Sequence, residues 1–358
     1  LSERLAGVPA KLRTSDMTAS LYRAQANDAY WHGLFGGLYL PHLRRAVYRN
    51  AVALEAALDA VVPRAACERC DLDCDGADEW FMRNADLQAV TRDDGLAALH
   101  EFDSYPLTHN FGDTLRRGHE NYHDRIERGV SHAPAGGGIA SPHDRVGFRH
   151  DVAFEDVVPD ALPRVLFADS YTAADGKLHS LCEYAFAAVD ETAPALAFRA
   201  AVAGGKVSKQ YRLTGARLAV TYAFEGLAAG TFATELNLSL PACDGFSGRY
   251  ILANGEIPCG FGQHLAQDGL TMITLDDREL GGALVLAASV PLALNAQPHF
   301  TVSQSEAGFE KIMQAATISL ALPLTPELTT LTVTIEIVAR PDAAPPRHAC
   351  HDRENDAQ

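Results

Sequence analysis

The sequence predicts a mainly β protein, a large antiparallel β-sandwich preceded by a short α-helical hairpin. The first observation is a change of period, since apolar residues recur at helical spacing to about residue 58 and then in short alternating runs from 78 to 337. The second is that Gly, Asp, Asn and Pro bound those runs, with no helical pattern between them. About a dozen such strands favour two packed antiparallel layers.

Two helices are predicted near the beginning of the chain. The first spans 14–31, where Thr14 can cap the N-terminus, and it should end in the glycine-rich segment GLFGG, where positive φ is accessible. Pro41 opens the second helix, which continues to about Leu58. Because the connector is short, the two helices form a hairpin, which we interpret as the last part of a helical bundle.

The alternating runs define the predicted strands. The clearest runs are 96–103, 164–170, 178–189, 195–202, 206–215, 216–226, 231–240, 282–289 and 330–339. Two of them join at Thr214-Gly215, which is typical of a compact β-hairpin. The predicted domains are therefore the end of a helical domain (1–62), a β-sandwich (63–340) and a disordered tail (341–358). The Gly- and Ala-rich segment 129–141 is expected to be mobile.

Composition limits the classes of partner. The chain has 358 residues, of which 47% are hydrophobic and 21% charged, enough for a sizeable core. The net charge of −16 opposes non-specific binding to nucleic acid or anionic membranes, whereas a neutral polysaccharide is unaffected by it. The sequence contains no run of eighteen apolar residues, so it predicts no transmembrane helix. Seven cysteines, an odd number mostly far apart, suit a reducing compartment, and we expect a cytoplasmic protein.

The segment 24–38, AQANDAYWHGLFGGL, is a candidate carbohydrate site. Its polar and aromatic members are Gln25, Asn27, Asp28, Tyr30, Trp31 and His32. An indole stacks on the apolar face of a pyranose, while amides and carboxylates bond its hydroxyls. At helical spacing Asp28, Trp31 and His32 would share one face. From these residues alone, an aromatic contact between helices with satisfied polar groups remains an open alternative.

The segment 71–79, DLDCDGADE, is a candidate calcium site. Asp71, Asp73, Asp75 and Asp78 place oxygen ligands in a loop, and the D-x-D-x-D-G opening resembles half of a helix-flanked calcium loop. Position 12 of such a loop would be Met82, so Asp78 or Glu79 would have to complete the shell. The alternative is a solvated acidic turn. No motif for an organic cofactor occurs in the chain.

Two further clusters are less specific. Cys67, Cys70 and Cys74 could supply three zinc ligands, but no second Cys/His pair follows at a finger-like interval. The charged segment 102–123 is interpreted as fastening the β domain to its neighbours. In that interpretation Arg116 and Arg117 pair with acidic residues of the same region, namely Asp103, Asp113 or Glu120. The alternative is a loop that reaches a sugar groove.

Long contiguous runs resemble a known family. They are AQANDAYWHGLFGGLYLPHLRRAVYRN (24–50), DLDCDGADEWFMRN (71–84), HEFDSYPLTHNFGDTLRRGHENYHDRI (100–126), SPHDRVGFRHDV (141–152), GKVSKQYRLTGARLAVTYAFEG (205–226) and SEAGFEKIMQ (305–314). Together they are similar to the 4-α-glucanotransferase and α-amylase branch of glycoside hydrolase family 57. The resemblance implies that the β region is a supersandwich of the galactose-mutarotase type, which follows a catalytic barrel in that branch.

The resemblance also implies a function. Family members are retaining enzymes on α-1,4-glucan or maltooligosaccharides, and their two catalytic carboxylates lie in an N-terminal barrel. No motif of that barrel occurs here, so the chain is expected to be a C-terminal portion with no catalytic residue of its own. The substrate-binding residues carried over are Gln25, Asn27, Asp28, Trp31 and His32. Alternatives are a non-catalytic carbohydrate-binding or assembly module expressed alone. A homodimer is a possible assembly.

Overall fold

The structure is a computed structural model that describes residues 1–32, 36–127, 151–190, 192–243, 247–305, 308–325 and 327–340. The predicted mobile segment 129–141 and the predicted tail 341–358 lie outside the described residues.

The described helices are α1 (Ser2–Gly7), α2 (Ser15–Ala24), α3 (Pro41–Val61) and α4 (His123–Glu127). Helices α2 and α3 form the predicted hairpin, and the Thr14 hydroxyl caps α2 by accepting from the Met17 amide at 3.2 Å. Together with α1 and the residue that follows it, they enclose a small separate core built from Leu5, Val8, Met17, Leu54 and Leu58. None of the described helices is long and apolar enough to cross a bilayer.

Helix α2 is shorter than predicted. It ends at Ala24 instead of continuing to Trp31, and 27–29 form a single 3₁₀ turn. The hydroxyl of Tyr30 donates to the Ala24 carbonyl at 2.6 Å, which satisfies one of the last carbonyls of the helix. Asn27 and Asp28 favour turns over helix interiors, so the local sequence also supports an early end.

Within the described residues, seventeen strands follow. They are β1 (Cys67–Cys70), β2 (Glu79–Arg83), β3 (Leu87–Arg92), β4 (Leu99–Ser104), β5 (His109–Asn110), β6 (Leu166–Ala173), β7 (Leu178–Ser180), β8 (Ala185–Asp190), β9 (Ala195–Val202), β10 (Gly205–Thr214), β11 (Arg217–Glu225), β12 (Gly230–Leu238), β13 (Gly248–Leu252), β14 (Leu265–Asp277), β15 (Gly282–Ser305), β16 (Gly308–Leu324) and β17 (Thr330–Ala339). The predicted mainly β, antiparallel fold after a helical hairpin is therefore confirmed.

Strand β15 connects two runs of antiparallel strands. Its first half, 282–288, pairs with β17 and continues through β11, β10 and β9 to β8. Its second half, 293–305, pairs with β16 and continues through β12 and β6 to β4. Because one long strand changes partner along its length, it belongs to both runs, and β14 follows it along the other edge.

The strands bury one face, as their alternation predicts. Strands β10, β11 and β17 alternate between buried and more exposed residues along their length. Strands β10 and β11 form the predicted hairpin, with Thr214 opposite Arg217 and Gly215 at φ +55° in the turn. Their inward side chains join a continuous apolar core that includes Tyr211 and Tyr222.

A lysine lies inside this core. Lys209 of β10 is fully buried, and its Nζ is 2.8 Å from Oδ2 of Asp169 on β6. Tyr184 and Tyr222 donate to the same carboxylate, each at 2.9 Å. Burial lowers the pKa of Lys209, and the carboxylate of Asp169 partly offsets that effect. The carboxylate of Asp169 thus accepts two tyrosine hydrogen bonds in addition to its ion pair with Lys209, and a buried ion pair requires such additional partners.

Candidate functional site

The connection between α2 and α3 is a segment that we call the tryptophan loop (25–40). Its fold depends on Gly36 at φ +101° and Gly37 at φ +53°. The Leu38 amide donates to the Trp31 carbonyl at 3.0 Å, and a Cβ at position 37 would lie 2.1 Å from that same oxygen. Only glycine therefore permits this closure. Residues 33–35 lie outside the described residues.

The predicted substrate-binding residues lie on this loop, but not on one helix face. Because α2 ends at Ala24, the prediction that Asp28, Trp31 and His32 share a helical face is wrong. Gln25, Asn27 and Asp28 are exposed, and Trp31 has 52% of its surface exposed. A buried aromatic contact between helices does not describe Trp31. The loop instead presents amides, a carboxylate and an indole to solvent.

His32 points the other way, into a cluster that we call the aromatic junction (His32, Tyr39, Tyr122). Its ring lies 5.2 Å from the Tyr39 ring in an edge-on arrangement and 5.3 Å from the Tyr122 ring. The Tyr39 hydroxyl donates to Oε1 of Glu120 at 2.8 Å. Burial raises the pKa of both tyrosines. The half-buried imidazole thus anchors the loop to the sandwich beside Trp31.

A second set of contacts fixes the other end of the tryptophan loop. Arg44 of α3, 8% exposed, donates through Nε to Asp113 and through Nη2 to Gln314 of β16, both at 2.8 Å. It also donates to the Leu38 carbonyl. Gln314, 1% exposed, donates through Nε2 to the Tyr39 carbonyl at 2.9 Å. We call these contacts the Arg44–Gln314 network; they join helix, loop and strand.

Within this network, the charges of Arg44 and Asp113 depend on each other. Burial raises the pKa of Asp113, and the adjacent Arg44 guanidinium only partly offsets the shift. Removal of Arg44 would leave that carboxyl buried without a cation, which is costly in a low-dielectric environment. We therefore expect that removal of Arg44 alone destabilises the attachment of the tryptophan loop.

Sequence reasoning missed Tyr39, Arg44 and Gln314. A signal was present, because all three lie in the runs 24–50 and 305–314 that carry the family resemblance. Their contact was not readable, since Arg44 and Gln314 are 270 positions apart.

The partners predicted for the charged segment 102–123 are wrong in detail. Arg117 pairs with Asp160 at 2.7 Å, not with an acid of its own segment, and Asp113 pairs with Arg44. Although burial opposes the effect, hydrogen bonds from Arg164 and Arg117 lower the pKa of Asp160 well below its usual range. The Arg44–Asp113 pair does join this segment to α3.

The acidic loop (71–79) gathers some of the predicted calcium ligands. One carboxylate oxygen from each of Asp71, Asp73 and Glu79 lies within 4.8 Å of the others, and this is the one such group of three among the described residues. Asp75 instead pairs with Arg92, whose guanidinium also lies 3.6 Å from Asp73. Arg92 stands opposite Glu79 in the β2–β3 register, which brings its charge to the loop.

Asp78 is also drawn away from the group, because it pairs with Arg69 at 2.8 Å. The acidic loop therefore already holds a cationic side chain, and calcium there stays a prediction. The three cysteines at 67, 70 and 74 do not form a metal-binding group within the described chain.

A broad groove runs beside the start of α3. It has a volume of about 970 Å³, and its walls come from the beginning of α3, from β13, β15 and β16, and from the segment 257–263 between β13 and β14. Polar lining residues include His42, Arg249 and Gln263, and Phe300 contributes an aromatic surface. Strand β16 also carries Gln314, so the groove and the tryptophan loop share one supporting strand.

Two models of known protein families match this chain, and together they cover most of its length. Residues 71–335 match the family model described as "Alpha-amylase/4-alpha-glucanotransferase, C-terminal", and residues 1–58 match "Alpha-amylase/4-alpha-glucanotransferase, middle domain". The helical hairpin thus corresponds to the middle domain of this family, and the sandwich corresponds to its C-terminal domain. The chain belongs to the alpha-amylase/4-alpha-glucanotransferase family, which confirms the resemblance to that branch of glycoside hydrolase family 57.

Individual relatives show how much is shared. A 4-alpha-glucanotransferase of Thermococcus kodakarensis is 29% identical over 328 residues, which are 86% of this chain and 46% of that protein. An alpha-amylase of Pyrococcus furiosus is 28% identical over 325 residues, or 85% and 44% of the two chains. The crystal structure of a 4-alpha-glucanotransferase from Thermococcus litoralis matches with a TM-score of 0.66 at 20% identity, covering 94% of this chain and 48% of that one. The chain spans about half the length of these relatives.

Proposed function

We propose that this chain supplies one wall of the cleft of an enzyme that transfers or hydrolyses α-1,4-glucan chains. The observation that carries the proposal is the exposed Trp31, held on a loop that the aromatic junction and the Arg44–Gln314 network lock in place. Side chains on such a support keep a defined position, which precise ligand binding requires. The family membership adds support, since the relatives are named as glucan-acting enzymes.

Each exposed group has a proposed role. Trp31 stacks on the apolar face of a glucose unit, and Asp28 accepts hydrogen bonds from its hydroxyls. Gln25 and Asn27 add amide donors and acceptors on the same loop. His32 supports the loop through the aromatic junction and, being only partly buried, also offers a polar contact.

The reaction itself is proposed to belong to polypeptide outside this chain. A retaining mechanism needs two carboxyls about 5–5.5 Å apart, one as nucleophile and one as acid and base. We assign neither to a residue of this chain. Transfer and hydrolysis differ in how well the cleft excludes water once the covalent intermediate has formed. We further propose a cytoplasmic location, on the odd number of cysteines in the sequence.

The second candidate is a stand-alone carbohydrate-binding module. The groove beside α3 favours it, because its polar and aromatic lining has the composition of a saccharide site. The two candidates differ in where the oligosaccharide binds.

Intrinsic fluorescence distinguishes them, because the chain has two tryptophans. Trp31 is exposed, whereas Trp80 stacks on Phe186 with ring centroids 4.2 Å apart. Titration with maltoheptaose should change the emission of the wild type and of Trp80→Phe, and Trp31→Phe should lose the change. A response that persists in Trp31→Phe would show that the sugar is bound away from Trp31. Turnover of maltoheptaose by this chain alone would contradict the assignment of the nucleophile elsewhere.

A further inference from the structure

We propose that a pocket between α3 and the turn from β14 to β15 is an anion site, which binds the phosphate group of a small molecule through Arg45 and Arg49. The pocket, which we call the arginine pocket, has a volume of about 420 Å³. Arg45 and Arg49 line it from α3, His109 from β5, and Glu279 from the turn between β14 and β15. None of its lining residues belongs to the tryptophan loop, so the site is independent of the proposed glucan function.

Helix α3 brings the two guanidinium groups together. Arg45 and Arg49 are four positions apart, so their side chains are neighbours on one face of the helix. His42 and Ala46 line the pocket from the same part of α3. Like charges at this spacing repel each other and destabilise a helix. An anion bound between the two arginines would relieve that repulsion.

The two arginines are not neutralised by an acid. Among the described residues, neither Arg45 nor Arg49 forms an ion pair or a side-chain hydrogen bond with another residue. The acid next to this part of α3 is Asp113, which already accepts from Nε of Arg44 at 2.8 Å. Two guanidinium groups in one pocket therefore keep their donors available for a ligand.

The lining of the arginine pocket carries an excess of positive charge. Its one acid is Glu279, an exposed residue whose carboxylate accepts a hydrogen bond from the Ser247 hydroxyl at 2.8 Å. Arg45 and Arg49 together outweigh this single negative charge. The excess is local, because the chain as a whole has a net charge of −16. A pocket with this balance of charges attracts an anion and repels a cation.

The charges of the two arginines also act on a buried histidine in the pocket wall. His109 is 3% exposed, and its Nε2 donates to the Ser239 carbonyl at 2.8 Å. Burial lowers the pKa of His109 to about 4, and the charges of Arg45 and Arg49 act in the same direction. The imidazole is therefore neutral near pH 7 and lies beside the proposed anion, where its ring signals can report binding.

The geometry of arginine and the apolar part of the lining indicate the class of ligand. A guanidinium donates paired N–H groups that match two oxygens of a phosphate. A phosphate monoester carries a charge of about −1.5 to −2 at pH 7 and three acceptor oxygens, so it can neutralise two arginines, whereas one carboxylate cannot. Leu107, Pro241 and Leu280 add an apolar wall, which fits an uncharged substituent on the phosphate.

Isothermal titration calorimetry with phenyl phosphate and with inorganic phosphate tests the proposal at about pH 7.5 in a phosphate-free buffer. The wild-type chain should bind, and Arg45→Gln and Arg49→Gln should each weaken binding by about tenfold or more. Glu279→Gln should strengthen binding, because it removes the acid of the pocket. Arg212→Gln is the matched control, since it removes the same charge from the surface of β10 and should leave binding unchanged.

The two ligands distinguish the source of the phosphate group. Tighter binding of phenyl phosphate would show a site for a phosphate ester that uses the apolar wall. Equal or tighter binding of inorganic phosphate would show a site for the free anion. Both results support the anion site.

Four results would overturn the proposal. They are no binding of either ligand by the wild type, unchanged binding in Arg45→Gln or in Arg49→Gln, equal weakening by Arg212→Gln, and unshifted ring signals of His109. The last result comes from NMR of the wild type, in which phenyl phosphate should shift the signals of His109 but not those of the exposed His264. This measurement needs no pocket variant, and circular dichroism establishes that each variant folds.

Discussion

Arg44 of α3 and Gln314 of β16 are joined by a hydrogen bond of 2.8 Å, although 270 positions separate them in the sequence. Arg44 also holds the Leu38 carbonyl, and Gln314 holds the Tyr39 carbonyl. The two side chains therefore fix consecutive peptide groups of the tryptophan loop from opposite domains. The position of Trp31 depends on the docking of the helical hairpin against the sandwich.

This relationship predicts that the Arg44–Gln314 network stabilises the whole chain. Arg44→Met should lower the free energy of unfolding by about 3–5 kcal/mol, because it leaves Asp113 buried without its cation. Gln314→Ala should cost about 1–3 kcal/mol, because it leaves the Tyr39 carbonyl and an Arg44 donor unpaired. Urea unfolding measures both. The control Arg212→Met removes a surface arginine and should change stability by less than about 0.5 kcal/mol.

The closure of the tryptophan loop predicts an intolerance at Gly37. Gly37→Ala should destabilise the chain and change Trp31 emission, because the new Cβ meets the Trp31 carbonyl and the residue has φ +53°. Gly176→Ala separates the two causes. Gly176 has φ +85° but open space around it. Its variant should therefore lower the free energy of unfolding only by the cost of the backbone conformation, about 1–2 kcal/mol. Equal losses in the two variants would show that the contact with Trp31 is unimportant.

The free energy of unfolding should fall with decreasing pH because of His109. This buried histidine donates from Nε2 to the Ser239 carbonyl at 2.8 Å, and burial lowers its pKa to about 4. Below about pH 6.5 the unfolded chain binds a proton that the folded chain refuses, so stability decreases until the pH reaches about 4. The contribution of this one group is about 3 kcal/mol.

The corresponding variant is His109→Gln, measured by urea unfolding between about pH 7 and pH 4. Its loss of stability over that window should be smaller than that of the wild type. His264→Gln replaces an exposed histidine and should keep the wild-type slope. An unchanged slope in His109→Gln would mean that other groups cause the acid sensitivity.

Calcium at the acidic loop is a prediction that two variants can test. If the oxygens of Asp71, Asp73 and Glu79 bind it, Asp73→Ala should remove one binding event from the calcium titration and lower the melting temperature in calcium. The structure adds a competitor, since Arg92 already contacts this loop. Arg92→Gln should then strengthen calcium binding. If neither variant alters the titration, the segment is a solvated acidic turn.

Local patterns predicted much of the fold. Strand β9 spans the predicted 195–202, and β17 spans the predicted 330–339, because alternation with period two is a property of the strand itself. The Thr14 cap, Pro41 at the start of α3 and the turn at Gly215 were equally readable, since each depends on one residue and its neighbours. The early end of α2 was missed because the stripe of Met17, Leu21 and Ala24 was extended to Asp28, although Asn27 and Asp28 favour turns.

The sequence by itself determined the antiparallel fold, the helical hairpin, the family, and the residues that the tryptophan loop presents. Tertiary structure alone decided that His32 points inward while Trp31 points outward, that Asp113 pairs with Arg44, and that Arg92 enters the acidic loop. The physical reason is the sequence distance over which each effect acts. Periodicity and turn propensity depend on a few neighbouring residues. The partner of a buried charge instead depends on which distant segments pack against each other and exclude water.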